Sequence, residues 1–330
     1  MLREFKLPAD ADILVDLIPK AFTYPENPAW DFRADDQANM VDGLKMVKRL
    51  WPVLWVVGVL SPSMRNIMRG YIWEEDGNPV ALVNTGTQNT TGRWFIGNVA
   101  VLPNYRRRGL ARKLVEAAVG LARQNHANMV WLDVIAGNLP AYQLYESLGF
   151  EHFETSVDLE FQGDKVSPET ALPADYRIEE TAQFNWRPRY ELLKRITPAS
   201  VQRYEPVTEE QFKIPALVRP VAMVLSRLGG DKTQAETVYQ QRDGQVIAAL
   251  RYSARTKAGG VNNIQIRLDP AHGHLAPSLV GHLLNKVWSI GPGRRVSVSV
   301  ENWQPAVIQA LCDAGFAVNH EMHTLALLLS

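Results

Sequence analysis

Val101-Leu102-Pro103-Asn104-Tyr105-Arg106-Arg107-Arg108-Gly109-Leu110-Ala111 joins a strand to a helix through a turn suited to an anion. Upstream, Trp94 to Val101 is rich in aromatic and β-branched residues and stops at Pro103, the composition of a buried strand ending at a turn. Downstream, Leu110, Leu114, Ala118 and Leu121 recur at spacings of four, four and three, with Lys113, Glu116 and Arg123 between them. That is the helical period with one buried face, and it predicts a helix beginning near Arg107 or Arg108. The first N–H groups of a helix lack intrahelical partners and carry partial positive charge, so they attract a phosphate dianion. Gly109 and Ala111 keep the surface low enough for a pyrophosphate to approach, and Arg106, Arg107, Arg108 and Arg112 surround it with positive charge.

A second segment has the same character. Met129-Val130-Trp131-Leu132-Asp133-Val134 reads as a strand and is followed by Asn138-Leu139-Pro140-Ala141-Tyr142-Gln143-Leu144-Tyr145-Glu146-Ser147-Leu148-Gly149-Phe150. The spacing Arg-x-x-Gly-x-Ala, and then an Asn before a short helix that carries Leu-Tyr and ends in Gly-Phe, resemble the two signature blocks of the GNAT superfamily of N-acetyltransferases. The blocks cover about residues 94 to 150 in the order that family uses.

The resemblance implies an acyl-coenzyme A site in which Val99 and Val101 offer backbone groups to the pantetheine arm. The amides of Arg107, Arg108, Gly109, Leu110, Ala111 and Arg112 would hold the pyrophosphate, with Arg106 beside them. Asn138 would contact the cofactor where the sheet splays, and Tyr145 would stand by the thioester sulfur. In the family that tyrosine protonates the leaving thiolate, which suits a phenol whose reference pKa of about 10 keeps it protonated at neutral pH. The implied activity is acetyl transfer from acetyl-CoA, as co-substrate, to a primary amine on a small molecule or peptide. The alternative is a non-catalytic acyl-CoA-binding sensor or interaction module, and the intact Tyr145 favours the enzyme. No base is assigned: Trp94 to Val101 carries no acid, which leaves a water chain held by backbone carbonyls or Asn98.

Composition bounds the rest. At 330 residues the chain exceeds the ~250–300 at which single cores stop growing, so two domains are expected. Formal net charge is zero, which gives the whole chain no electrostatic footprint for nucleic acid or an anionic membrane. The longest apolar run, Trp51 to Leu60, is interrupted by Pro52 and falls short of the ~20 residues of a membrane span. The lone Cys312 excludes an internal disulfide, suits the cytoplasm, and reads as a buried helical thiol. His272, His274, His282, His320 and His323 lack a Cys or acid at ligand spacing, so no metal is expected.

Residues 20 to 68 are long and aromatic, with Phe22, Tyr24, Trp30, Phe32, Trp51 and Trp55. This segment reads either as the wall of an acceptor pocket or as a core helix pair.

The second half repeats the first. Asp76-Gly77 matches Asp243-Gly244 and Pro103 matches Pro270, both at a shift of 167; Gly149-Phe150 matches Gly315-Phe316 at 166. The expected fold is therefore α/β (α+β): two tandem GNAT-like domains, each a mixed, mostly antiparallel sheet flanked by helices. The domains are 1–162 and 176–330, joined by a linker at 163–175, with Glu151 to Phe161 closing the first. The second copy has lost the arginine cluster, reading Ala271-His272-Gly273-His274 after Pro270, and Leu311 falls where Tyr145 lies. It is expected to be silent. Tandem arrangements of this kind resemble mycothiol-synthase-like acetyltransferases, in which the second copy is the active one; here the loop lies in the first. An oligomer is left open.

Overall fold

The computed structural model describes the chain except for residues 26, 28–29, 32–39, 53–65, 67, 88–90, 164–165, 167–169, 215–218, 221–230, 257–260 and 330. The chain forms two compact units, Met1–Phe153 with His323–Ser330, and Glu154–Met322.

In the first unit, β1 (Leu2–Glu4), β2 (Arg69–Glu75), β3 (Asn78–Thr87), β4 (Arg93–Val101) and β5 (Met129–Ile135) lie side by side in that order. Pairing is antiparallel as far as β4 and parallel between β4 and β5. Residues His323–Leu328, the end of β12 (Ala317–Leu328), follow β5. One face of the sheet is covered by α3 (Leu110–Gln124), which buries the predicted Leu110, Leu114, Ala118 and Leu121 together with Val115, Val119 and Ala122. Burying one such leucine contributes roughly 1.5–3 kcal/mol, so this stripe fixes the helix to the sheet. On the other face α1 (Ala11–Ala21) packs Leu14, Leu17 and Ile18 against Ile72, Leu82 and Ala100. Residues 40–52 form α2, whose Leu44 joins that cluster.

The second unit repeats this plan. β7 (Tyr176–Thr181), β8 (Asp231–Gln240), β9 (Val246–Arg255), β10 (Asn262–Leu268) and β11 (Val296–Glu301) run in that order. Again only the last pair is parallel. It carries α5 (Arg187–Ile196), α6 (Ala276–Ile290) and α7 (Pro305–Asp313). The sequence offset reappears in single hydrogen bonds. Leu102 N donates to Val80 O at 3.0 Å and Asp269 N to Ile247 O at 2.9 Å, both residues shifted by 167. Phe150 N to Tyr145 O likewise becomes Phe316 N to Leu311 O, shifted by 166. The mixed sheet flanked by helices, twice over, agrees with the expected fold class.

Three expectations change. α3 begins at Leu110 rather than at Arg107 or Arg108, because Arg107 (φ 64°) and Gly109 (φ 76°) adopt left-handed backbone that a helix does not continue through. Strand β6 (Glu151–Phe161) forms as expected. From Glu154 onward, however, it belongs to the second unit, paired with β11 from Ser156↔Glu301 to Phe161↔Val296. Strand pattern carries no record of which sheet a strand enters. Cys312 is exposed on α7 rather than buried.

Of the proposed linker, Val166 and Leu172 pack against the second unit's core, and residues 164–165 and 167–169 lie outside the described residues. Most of the Trp51 to Leu60 run also lies outside them. No helix among the described residues is long and apolar enough to cross a membrane.

Candidate functional site

A gap opens in the first unit between β4 and β5. They pair only from Arg93↔Met129 to Ile96↔Leu132, so the remainder of β4 has no neighbour on that side. Backbone groups alternate between the two edges of a strand. Because Leu102 N–H bonds Val80 on β3, the N–H and C=O groups of Val99 and Val101 point the other way, into the gap. That edge is what an added extended chain needs. The Val101 carbonyl already accepts from Arg106 Nε at 3.4 Å, which leaves its N–H and both groups of Val99 facing the gap.

The α3 N-terminus stands at the open end. Its first ladder bond runs from Lys113 N to Gly109 O, so the amides of Gly109, Leu110, Ala111 and Arg112 have no acceptor within the helix. A Cβ built on Gly109 meets nothing within 4 Å, so the space beside that residue is open. Without a side chain there, a bulky diphosphate can lie against them.

The four arginines do different things. Arg107 is exposed in left-handed backbone, and Arg108 faces Glu75 at 3.6 Å while donating to Asn104 O at 2.9 Å. Arg112 donates to Ser147 Oγ at 2.6 Å. Arg106 turns inward: its Nη2 donates to Ala21 O at 2.8 Å and Thr23 O at 3.2 Å, and its guanidinium lies 4.9 Å from the Tyr24 ring centre. It ties the loop to the end of α1 instead of standing free for an anion. Asn138 is likewise engaged, capping α4 (Leu139–Ser147) by accepting from Ala141 N at 3.3 Å. That cap accounts for the asparagine without any ligand.

Tyr145 is buried on α4, 6.1 Å from the Phe150 ring. Burial, with a smaller contribution from nearby Tyr24, pushes its phenol well above the ordinary value of 10.0. It is a fully protonated donor at neutral pH. Tyr24 itself packs edge-on against Trp30 at 5.6 Å, and Trp30 lies beside Gly137, so part of the aromatic segment does reach the β5–α4 turn. Phe32 and Trp55 lie outside the described residues. In the sequence Tyr24 belongs to a segment that reads as a pocket wall or as a core helix pair, and nothing in its spacing signals its nearness to Tyr145.

The second unit has the corresponding gap, and side chains fill it. β10 and β11 pair only at Asn262↔Val296 and Asn263↔Ser297. Leu268, the counterpart of Val101, donates its N–H to Gln304 Oε1 at 2.9 Å. Gln304, the counterpart of Asn138, donates to Glu301 at 3.2 Å, and Arg267 bonds Glu301 from across the gap. The N–H that faces the gap at Val101 in the first unit is thus bonded internally at Leu268 in the second, and the Ile266 carbonyl accepts from Arg267. Nearby, burial pushes the Glu154 carboxyl up to about 7, opposed by a bond from Trp303 Nε1 and reinforced by Glu301 and Glu205.

No group of three or more His, Cys, Asp or Glu among the described residues is arranged to hold a metal. His272 Nδ1 bonds the Tyr176 hydroxyl at 2.9 Å.

Comparison with known proteins matches residues 48–150 to the acetyltransferase (GNAT) family. Residues 48–150 therefore carry a GNAT domain. It is similar to the mycothiol acetyltransferase of Acidothermus cellulolyticus, 29% identical over 167 residues, covering 49% of this chain and 48% of that protein. It is 45% identical over 53 residues to the [ribosomal protein bS18]-alanine N-acetyltransferase of Escherichia coli, covering 16% of this chain and 36% of that one. The chain thus spans less than half the length of either relative. Both halves are covered by a solved tandem GNAT protein from the clavulanic acid biosynthesis pathway, with a TM-score of 0.65 at 18% identity over 99% of this chain and 98% of that one. That likeness extends to the fold.

Proposed function

We propose that the first unit transfers an acetyl group from acetyl-CoA to a primary amine, and that the second unit takes no cofactor. The observation that carries this reading is the open edge of β4 beside the α3 N-terminus, with the buried Tyr145 in the same apolar cluster as Val99 and Val101. Acetyl-CoA supplies an activated acyl carbon on a sulfur leaving group. The diphosphate fits against the amides of Gly109 to Arg112, with Arg107, Arg108 and Arg112 around it. The amide-bearing arm fits Val99 and the Val101 N–H. The amine lone pair attacks the thioester carbon, the carbon–sulfur bond breaks, Tyr145 protonates the thiolate, and the amine's surplus proton leaves to water, which returns a proton to the Tyr145 phenolate.

Arg106 and Asn138, both committed to the fold, act only by holding the loop and α4 in place. The names of two relatives, a mycothiol acetyltransferase and a ribosomal protein alanine N-acetyltransferase, support an amine on a small molecule or a peptide as the acceptor. Calorimetric titration of acetyl-CoA into the full chain tests the reading. One site per chain is expected. Two sites would mean that the Gln304–Leu268 closure yields to ligand, and none would overturn the proposal.

A further inference from the structure

The proposed acetyl transfer, on which this inference rests, needs something to orient the incoming amine, and β4 offers no carboxylate between Arg93 and Val101. It offers a bulge. Pairing between β3 and β4 jumps from Val83↔Val99 to Thr85↔Ile96, leaving Asn84 opposite the extra residues Gly97 and Asn98. Ile96 is also the last β4 residue paired with β5, so the bulge lies at the apex of the gap, where the acyl end of a chain laid along Val101 and Val99 would arrive.

Two residues along each strand, Leu82 and Ala100 pack with α1, so alternation puts Asn84 and Asn98 on that same face. Asn98 Nδ2 donates to Asn84 Oδ1 at 3.5 Å. Asn84 is only 4% exposed, and its own Nδ2 has no hydrogen-bond partner. Buried donors in folded proteins are rarely left unpaired, so this one marks a place that a ligand group completes. Its cross-strand neighbour is Gly70, where any Cβ would stand 2.0 Å from Val83 O, so the floor beside Asn84 has no side chain. The site therefore presents one uncharged donor, Asn84 Nδ2, and one uncharged acceptor, Asn98 Oδ1.

We infer that Asn98 and Asn84 orient the acceptor. Asn98 Oδ1 takes one N–H of the amine, and Asn84 Nδ2 donates to an oxygen close to that nitrogen. With two uncharged groups and no acid on β4 to hold an ammonium ion, the pair selects an amine entering as the free base with a neighbouring hydroxyl or carbonyl oxygen. The amine lone pair then points at the thioester carbon; the bonds made and broken are those of the proposed transfer.

Hydroxylamine, small, uncharged at neutral pH and carrying oxygen next to nitrogen, is the probe. With acetyl-CoA and the full chain, thiol release should exceed the uncatalysed rate. Asn98→Ala and Asn84→Leu should each raise the KM for hydroxylamine about tenfold while leaving acetyl-CoA affinity unchanged. Asn84→Leu, which removes a buried unpaired N–H donor at the cost of one long 3.5 Å bond from Asn98, should also hold or raise the Tm, and no merely structural role predicts that combination. Unchanged KM in both variants, or no acceleration by a wild-type chain that binds acetyl-CoA, overturns this inference and leaves the cofactor assignment intact. Failure to bind acetyl-CoA overturns the reading beneath it.

Discussion

Tyr145 has a single polar atom in an apolar setting, and its raised pKa cuts two ways. The phenol is always protonated when needed, but it gives up its proton less readily than tyrosine in water until a thiolate sits beside it. Tyr145→Phe should therefore lower turnover about a hundredfold while leaving acetyl-CoA affinity within twofold, read by thiol release and calorimetry. Glu154 carries a pH dependence of the fold. Its carboxyl titrates at about 7 in the native second unit against 4.5 when free, so the folded state holds this proton more tightly than the unfolded one. The stability it lends is whole below pH 4.5 and is lost as the pH rises through 7. In Glu154→Gln, whose side-chain oxygen still accepts from Trp303, the fall in Tm between pH 5 and pH 8 should shrink. If the slope stays the same, Glu154 is not its source. At this scale the sequence reveals residue types but not their directions. Three arginines in a row read alike, yet Arg106 faces α1 and Arg107 faces solvent, because carbonyls at Ala21 and Thr23, over eighty residues away, claim one of them.

Among the elements, the turn into α3 was the most legible, since periodicity and the Gly109 signal both act over a few residues. The start of the helix was displaced only because left-handed backbone at Arg107 and Gly109 had no separate mark in the sequence. Gly109→Ala should cost about 1 kcal/mol, roughly 2–4 °C in Tm, from its left-handed φ alone. The new methyl group, standing in cleared space, should also weaken acetyl-CoA binding. Arg106→Ala and Arg107→Ala should separate: the first lowers Tm by loosening the loop from α1, and the second weakens cofactor binding in a salt-dependent way with Tm unchanged. Equal effects on both quantities would contradict the division of labour among the arginines. The bulge in β4 and the splay after Ile96 were not readable, because each depends on where a neighbouring strand stops pairing.

For the whole molecule, internal repetition was plain because a shift of 167, or 166 past Gly149, preserves turns, prolines and glycine caps alike. Which half receives a given strand was hidden, since β6 and β12 have the same composition wherever they pair. Removal of His323–Ser330 takes the fully buried Leu325 and the Thr324–Asp133 hydrogen bond from the first unit. A chain ending at Met322 should thus lose several kcal/mol from that unit and its acetyl-CoA binding, while the second unit keeps its hydrogen-exchange protection. The same arrangement sets a schedule for synthesis. About 170 residues separate Phe153 from His323, and at about 5–20 residues per second translation takes roughly 10–30 seconds to bridge them. Throughout that interval the newly made N-terminal half waits with the edge of β5 uncovered, an invitation to mispairing with other nascent chains. Codon usage or chaperone supply over the second half would then govern the yield of a site built almost wholly by the first.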